Sequence, residues 1–212
     1  MKISSDWKEV TWGTKGERNK SARGKKRMAV LQTAARMFNE RSFENTSLTD
    51  IAEAIGITKP ALYYYVKNKE DILYSIGKMV LEDCMAVLDE AVKEPKTGRD
   101  RLVSFLTQYI NIMQTDFGRC QITTNEMALS EDSRHRLLAI RRQIDSAIRE
   151  IIAEGVVDGS LQSPSPQFST YAIFGAVNWM CTWHRKIDDF GSENIADLFM
   201  DFFLNGLAPR SP

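Results

Sequence analysis

The chain has 212 residues, of which 43% are hydrophobic and 26% charged, and its 28 basic and 28 acidic side chains cancel. This length and composition suit one or two globular domains with a substantial core. No apolar run approaches the roughly 20 residues of a membrane span, and no secretory signal pattern opens the chain. We therefore expect a cytoplasmic protein without membrane contact.

Charge is distributed unevenly along the chain. Residues 1–75 carry 14 basic and 9 acidic side chains, whereas residues 76–212 carry 14 and 19. A basic amino-terminal third on an acidic remainder favours a nucleic-acid-binding head on a solvated body. Residues 1–24 are polar and basic without periodicity. We predict a flexible arm there, either a disordered tail or a segment that reaches the DNA backbone or minor groove.

Helical periodicity begins at Lys25 and continues to Arg41. The face of this predicted first helix is formed by Met28, Leu31, Ala34, Ala35 and Phe38. Ser47 and Asp50 then form a capping-box pattern at the start of a second helix, which Gly56 is placed to end. Thr58 is a good N-cap for a third helix, with Pro60 in its first turn.

Two short helices joined by a tight glycine turn form a helix-turn-helix, whose second helix enters the major groove of DNA. The three consecutive tyrosines 63–65 suit that surface, since a ring packs on sugar or a thymine methyl while its hydroxyl meets a phosphate. Asn68 is placed to cap the next helix. The predicted DNA-binding residues are Thr46, Ser47, Thr49, Thr58, Lys59, Pro60, Ala61, Tyr63, Tyr64, Tyr65 and Lys69.

Residues 25 to 75 resemble the DNA-binding domain of the TetR family of one-component repressors. The residues on the family pattern are Thr46, Ile51, Ala52, Gly56, Leu62, Tyr63, Val66, Lys67, Asn68 and Lys69. The resemblance implies an all-α protein with a three-helix DNA-binding domain at 25–71 and a helical ligand-binding and dimerisation domain at 72–212. It also implies a homodimer on a double-stranded, near-palindromic DNA operator.

The body is helical in pattern, with no strand-period segment. A long helix at 70–92 links the head to the body, and a loop is predicted at 155–167. Further helices are predicted at 99–117, 123–129, 131–154, 168–184 and 192–207.

The last two predicted helices carry more aromatic surface than one small bundle can cover. We interpret them as one subunit's half of an intermolecular four-helix bundle about a two-fold axis, although such stripes are usually ordinary core. The predicted dimer residues are Ile195, Leu198, Phe199, Phe202 and Phe203.

Methionines and aromatics in the body suit either a packed core or a pocket for a long apolar ligand with an anionic end. The predicted ligand residues are Leu106, Tyr109, Ile110, Met113, Phe117, Met127, Phe174, Met180, Trp183 and Arg185. Residues 178–185 also resemble a segment of TetR-type regulators of fatty-acid and sterol catabolism, which implies an acyl-CoA thioester as the small-molecule effector. Two alternatives stay open: an efflux-type regulator that responds to cationic or aromatic compounds, and a DNA-binding module without small-molecule control.

Signals for enzymatic or metal chemistry are poor. The sequence has no glycine-rich phosphate loop, no HExxH and no GxSxG. The cysteines at 84, 120 and 181 are far apart and lack metal-ligand spacing, so we expect reduced packing residues. We expect neither an enzyme nor a bound cofactor or metal.

Overall fold

The computed structural model describes residues 17–93, 96–183 and 194–206, and for 17–21 it describes the backbone alone. The described part is helical and contains no strand, which confirms the predicted all-α class. Its elements in chain order are α1 (Glu17–Arg41), α2 (Leu48–Ala54), α3 (Lys59–Leu62), α4 (Lys69–Lys93), α5 (Gly98–Gln114), α6 (Asp116–Thr123), a 3₁₀ turn (Glu126–Ala128), α7 (Glu131–Val157), α8 (Pro166–Trp183) and α9 (Ile195–Asn205).

The head consists of α1, α2, α3 and the beginning of α4. Its core is apolar because α1 turns one buried face toward the short helices, as the periodicity from residue 25 predicts. The buried residues that form it include Leu31, Ala34, Phe38, Ile51, Ala52, Leu62 and Ile72. A single core on such short helices explains how α3, only four residues long, keeps its shape: tertiary packing stabilises it rather than helix propensity.

The body packs α4 against α5, α6 and α7, α8 against α5, α6 and α7, and α9 against α5. Its largest fully buried side chains include Phe105, Leu106, Ile110, Ile148, Ile152 and Met180. Helices α5 and α7 approach closely at Gly98, where an added Cβ would overlap the backbone of Gly155. Asp158 fixes the same junction by accepting a 2.8 Å hydrogen bond from the Gly98 N–H.

Two helices connect head and body. Helix α4 contributes Ile72 and Ile76 near its start and Leu81 and Leu88 further along to one continuous core. Helix α6 packs against α1, and the Asn39 side-chain amide on α1 donates a 2.9 Å hydrogen bond to the Asp116 carbonyl. A displacement of either helix therefore reaches the head.

Several boundaries differ from the sequence prediction. Helix α1 begins at Glu17, so residues 17–24 are helical where the sequence predicted a flexible arm. At 123–129, where the sequence predicted a kinked or shorter helix, α6 ends at Thr123 and a short 3₁₀ turn follows. The predicted helix at 99–117 ends earlier, at Gln114, because Thr115 caps the next helix, α6. The Thr115 hydroxyl accepts a hydrogen bond from the Gly118 N–H at 3.0 Å. The arm residues 1–16 lie outside the described residues.

All three cysteines are buried, as predicted for packing residues. Burial raises the pKa of Cys84 to about 12 and the pKa values of Cys120 and Cys181 to about 11, so the neutral thiol dominates at pH 7. Among the described residues, no group of three or more His, Cys, Asp or Glu side chains could hold a metal ion. None of the described helices is long and apolar enough to cross a membrane.

Candidate nucleic-acid interface and ligand cavity

The start of α2 confirms the predicted capping box. Ser47 Oγ accepts from the Asp50 N–H at 3.1 Å, and the Ser47 N–H donates to Asp50 Oδ2 at 2.8 Å. These hydrogen bonds favour the ionised carboxylate and lower the pKa of Asp50. Gly56 ends the unit at φ +73°, a left-handed conformation that glycine adopts without a Cβ clash. Thr58 caps α3 by accepting from the Ala61 N–H at 3.4 Å.

Helix α3 ends at Leu62, and the three tyrosines continue it as a turn rather than as a longer helix. Tyr63 and Tyr64 are half or more exposed, whereas Tyr65 is largely covered, and burial raises its pKa. The residues of the predicted DNA-binding set that lie exposed on this side of the head are Ser47, Thr49, Thr58, Lys59, Pro60, Tyr63 and Tyr64, with Ala61 partly exposed. Their contacts with DNA stay predictions.

Thr46 is 1% exposed and cannot offer its side chain to a phosphate. Its hydroxyl donates to the Ser42 carbonyl at 2.9 Å, which fixes the turn between α1 and α2. The predicted phosphate contact of the Thr46 side chain is therefore wrong, because a buried hydroxyl needs its partner inside the protein.

Lys69 also points inward. Its ammonium donates to the carbonyls of Phe43 at 2.6 Å and Thr46 at 3.0 Å, and it lies 4.2 Å from the centroid of the Phe43 ring. The prediction that this ammonium holds a phosphate is wrong, since backbone acceptors and an aromatic face already surround it. Lys69 instead joins the α1–α2 turn to the start of α4.

Two arginines on α1 hold the tyrosine turn. Arg23 Nη2 donates to the Tyr64 carbonyl at 3.2 Å, and its guanidinium carbon lies 4.6 Å from the centroid of the Tyr64 ring. Arg27 donates through Nε to the Tyr65 carbonyl at 3.2 Å and through Nη2 to Ser75 Oγ at 2.7 Å. These arginines satisfy carbonyls that a helix as short as α3 leaves without partners. The sequence signal, two arginines four residues apart, does not by itself distinguish this role from general basicity.

A cavity of about 170 Å³, here called the effector cavity, lies between α4, α5, α6, α7 and α8. The Tyr109 and Phe174 rings form an edge-to-face pair at its wall, with centroids 5.2 Å apart. The Tyr109 hydroxyl donates to Asn178 Oδ1 at 2.7 Å. Because burial raises the pKa of Tyr109, the hydroxyl remains a neutral donor. The complete lining is Leu81, Tyr109, Met113, Gln121, Ile122, Arg141, Ile144, Asp145, Tyr171, Phe174 and Asn178.

Charged and amide groups lie among these apolar walls. Arg141 pairs with Glu126 through an Nη2–Oε1 distance of 2.6 Å. Asp145 is partly buried, and loss of solvent raises the pKa of its carboxyl. Gln121 is nine-tenths buried, and its Oε1 has no hydrogen-bond partner within the described chain. The cavity can therefore take an apolar group that also carries polar atoms.

Helices α8 and α9 expose a set of large apolar side chains, here called the α8–α9 surface. Its members are Phe168, Tyr171, Trp179 and Phe202. Trp179 alone leaves 66% of its surface open, and Gly175 lies between it and Tyr171 with open space above its Cα. Large exposed apolar side chains on these two consecutive helices are typical of a surface that another protein covers.

Two family models match the chain. The model described as "Bacterial regulatory proteins, tetR family" matches residues 30–76, and "Tetracyclin repressor-like, C-terminal domain" matches residues 95–207. The chain belongs to the TetR family of transcriptional regulators. TetR regulators are DNA-binding proteins rather than enzymes, and dimerisation and ligand binding are typical of them.

Individual TetR proteins resemble the chain over most of its length. The fatty acid metabolism regulator protein of Bacillus subtilis is 21% identical over 185 residues, which cover 86% of this chain and 95% of that protein. The structure of PfmR from Thermus thermophilus is 27% identical, with a TM-score of 0.76, covering 85% of this chain and 99% of PfmR. AibR in complex with isovaleryl coenzyme A and operator DNA superposes with a TM-score of 0.72 at 22% identity, covering 83% of this chain and 96% of AibR.

The predicted ligand residues of this TetR protein divide into several groups. Tyr109, Met113 and Phe174 line the effector cavity, whereas Leu106 lines a separate one and Phe117 a third near α1.

Three of the predicted ligand residues do not line the effector cavity, and a role for them in ligand binding stays a prediction. Ile110 and Met180 are fully buried between neighbouring helices and lie outside the effector-cavity lining. Met127 is 72% exposed on the 3₁₀ turn, where its sulfur contacts Arg134. Trp183 is partly buried against the core, and Arg185 lies outside the described residues.

The dimer prediction also needs one correction. Ile195 is buried within its own subunit, so it cannot form an interface. Leu198, Phe199 and Phe203 are partly covered by their own subunit, and only Phe202 of the predicted set is exposed. The sequence argument did not resolve which side of α9 faces outward, and an interface on α8 and α9 stays a prediction.

The sequence argument singled out the segment 178–185, which contains Asn178, but it did not predict that polar residues converge at the effector cavity. Gln121, Asp145 and Asn178 lie on three different helices, and no spacing in the sequence relates them. In the sequence, Arg141 is one of four arginines at 134, 136, 141 and 142, which favour a ligand with an anionic end but do not show which of them lines a cavity. Their convergence depends on how α6, α7 and α8 pack.

Proposed function

We propose that this TetR protein is a homodimeric repressor that binds a near-palindromic operator and is released by a small hydrophobic ligand, an acyl-CoA thioester. The observation that carries the proposal is the position of the effector cavity. It is lined by α4 and α6, the two helices that also contact the head. A ligand that favours a different position of either helix shifts the equilibrium between two arrangements of the heads.

Helix α6 gives the shorter route to the head. Gln121 and Ile122 of α6 line the cavity, and one turn earlier the Asp116 carbonyl accepts from Asn39 of α1. Helix α4 gives a second route through Leu81, which lines the cavity, and Ile72, which packs under the head. Because packed helices shift as rigid units, a small displacement at the cavity changes the position of the head.

On DNA, two heads would occupy successive major grooves about 34 Å apart. Lys59 and Tyr63 are exposed at the start and end of α3 and are our candidates for base contacts. Ser47, Thr49 and Thr58 lie exposed at helix starts and are our candidates for phosphate contacts. Arg23 and Arg27 position the tyrosine turn from the side of α1.

The ligand class rests on the cavity and on the relatives. A cavity of about 150 Å³ lined by leucine, isoleucine and phenylalanine holds a benzene-sized molecule, so a cavity of about 170 Å³ favours a short acyl group over the long apolar ligand that the sequence predicted. AibR is described with isovaleryl coenzyme A, and the Bacillus subtilis relative is a fatty acid metabolism regulator. Arg141 and Asn178 would meet the polar atoms next to the acyl group.

One observation favours a second candidate function. Asp145 brings a partly buried carboxylate to the same cavity, which suits a cationic or aromatic compound of the kind that efflux-type regulators bind. Arg141, on the same helix one turn away, lines the cavity too and opposes a cation there.

The test is release from operator DNA, followed by fluorescence anisotropy during titration. The ligands are isovaleryl-CoA, octanoyl-CoA, the corresponding free acids, coenzyme A and a cationic dye. We expect release by isovaleryl-CoA at lower concentration than by octanoyl-CoA, and no release by coenzyme A. Release by the cationic dye alone would contradict the proposal in favour of the efflux-type function. An operator complex that no small molecule affects would support a DNA-binding module without such control.

A further inference from the structure

A second cavity lies between α5, α7, α8 and α9 and shares no lining residue with the effector cavity. Its volume is about 160 Å³, and its walls are largely aliphatic, with Leu102, Leu106, Ile152, Ile173 and Met200 among them. By the same comparison with a dry cavity of about 150 Å³, it holds an apolar group of about six carbons.

A wider polar depression of about 620 Å³ adjoins this cavity. The two share Leu161, Gln162, Ser163, Phe203 and Leu204 as a common boundary, so they adjoin and together make one candidate space. Arg99 lines the depression and is exposed, and its guanidinium forms no ion pair with any described residue. The space is therefore apolar at one end and cationic at the other.

The acidic groups at the start of α5 are engaged elsewhere. Asp158 accepts from the N–H groups of Gly98 and Ser160, both at 2.8 Å, and Asp100 accepts from the Thr97 hydroxyl at 2.7 Å. Hydroxyl donors also lie at the boundary, where Ser163 and Ser169 form a 2.8 Å hydrogen bond. An anion at Arg99 would thus meet a guanidinium and hydroxyls.

We propose that this space is a binding site for a free medium-chain carboxylate, separate from the effector cavity. The alkyl chain occupies the aliphatic cavity, and the carboxylate pairs with Arg99, whose fork geometry matches two carboxylate oxygens. A quaternary or primary ammonium is disfavoured because it would face Arg99.

Occupation of this site acts on α9. Met200 and Phe203 form part of the wall, while Phe202, next along the chain, belongs to the α8–α9 surface. A ligand that fills the cavity stabilises the packing of α9 against α5. The proposal does not depend on DNA binding or on release by acyl-CoA.

The experiment is isothermal titration calorimetry on the full chain without DNA, with octanoate, octanol and octylammonium as probes. We expect octanoate to bind more tightly than octanol and octylammonium to bind most weakly. Arg99→Gln should weaken octanoate about fivefold and leave octanol unchanged, since an exposed ion pair contributes modestly. The matched control Arg141→Gln, in the effector cavity, should leave octanoate unchanged.

Three results would overturn the proposal. The first is loss of octanoate binding in Arg141→Gln but not in Arg99→Gln, which would place the acid in the effector cavity. The second is octylammonium binding as tightly as octanoate. The third uses Val103→Trp, which fills the aliphatic cavity: undiminished octanoate binding by this variant, folded by circular dichroism, would exclude the site. If Val103→Trp does not fold, the comparison of Arg99→Gln with Arg141→Gln decides which cavity binds octanoate.

Discussion

The ammonium of Lys69 lies between the α1–α2 turn and the first turn of α4, where it donates to the carbonyls of Phe43 and Thr46. Lys59, by contrast, is exposed at the start of α3 and has no such partners in the described chain. Two lysines of one short motif therefore have different functions. Lys69 stabilises the head, and Lys59 is available to the operator.

Substitution of these lysines separates the two functions. Lys69→Ala leaves backbone carbonyls without their charged donor, and we expect it to destabilise the protein by about 1–3 kcal/mol. Operator binding by Lys69→Ala should depend on salt concentration as it does in wild type. Lys59→Ala should leave the melting temperature unchanged and relax the preference at one operator position.

Thermal unfolding and operator binding at several salt concentrations check this pair of variants. If Lys69→Ala kept the wild-type melting temperature and reduced the salt slope by about one, it would be a phosphate contact after all. Lys67→Ala, exposed two residues earlier, is the control for loss of positive charge near the head.

At the scale of elements, Glu70 joins the start of α4 to the start of α7. Its Oε1 accepts from the Ser130 N–H at 2.8 Å and from the Ser133 hydroxyl at 3.0 Å. These donors favour the ionised carboxylate, so they lower the pKa of Glu70. These hydrogen bonds of Glu70 thus join α4, which carries the head, to α7, which lines the effector cavity.

The lowered pKa of Glu70 predicts that the stability of the protein depends on pH. A carboxyl whose pKa is lower in the folded state stabilises that state above its unfolded pKa, near 4.5, and loses the contribution as the pH falls through the folded value. Glu70→Gln should therefore melt about 2 °C below wild type at pH 7, and the difference should shrink below pH 4.5.

The measurement is a series of melting curves from pH 7 down to pH 3.5 for both proteins. Glu82→Gln on the exposed side of α4 is the control. It loses only the surface ion pair with Lys78 and should stay close to wild type throughout. A constant difference between Glu70→Gln and wild type over this range would show that the ionised carboxylate contributes nothing specific.

The sequence predicted the features of the molecule that neighbouring residues determine. It missed the features that depend on packing between distant segments. The capping box at Ser47 and the turn at Gly56 are local, and both were confirmed. The inward Lys69, the exposed Met127 and the convergence of Gln121 with Asp145 depend on contacts between distant segments. Helical periodicity found α8 and α9 but not which of their aromatic residues lie outside.

The α8–α9 surface predicts that two copies of the protein assemble into a dimer. We expect Trp179→Asp and Phe202→Asp to be folded monomers, since both side chains are exposed in the single subunit but would meet an apolar partner in a dimer. Operator affinity should fall toward the non-specific level, typically about 1000-fold or more weaker.

Sedimentation velocity at micromolar concentration measures the assembly. Val157→Asp is the matched control because it places the same charge on a side chain that is 89% exposed on α7. Wild-type protein that sediments as a monomer, or a Trp179→Asp variant that remains a dimer, would exclude this surface as the interface.

Occupation of the effector cavity should change the spacing of the two heads. The distance between spin labels on Lys67→Cys in the two subunits, measured by pulsed electron paramagnetic resonance, tests it directly. The native cysteines should not compete for the label, since all three are buried and their pKa values are raised. We predict that isovaleryl-CoA shifts the distance distribution while coenzyme A does not. Release of the operator by isovaleryl-CoA with an unchanged distance distribution would show that release does not proceed through a change in head spacing.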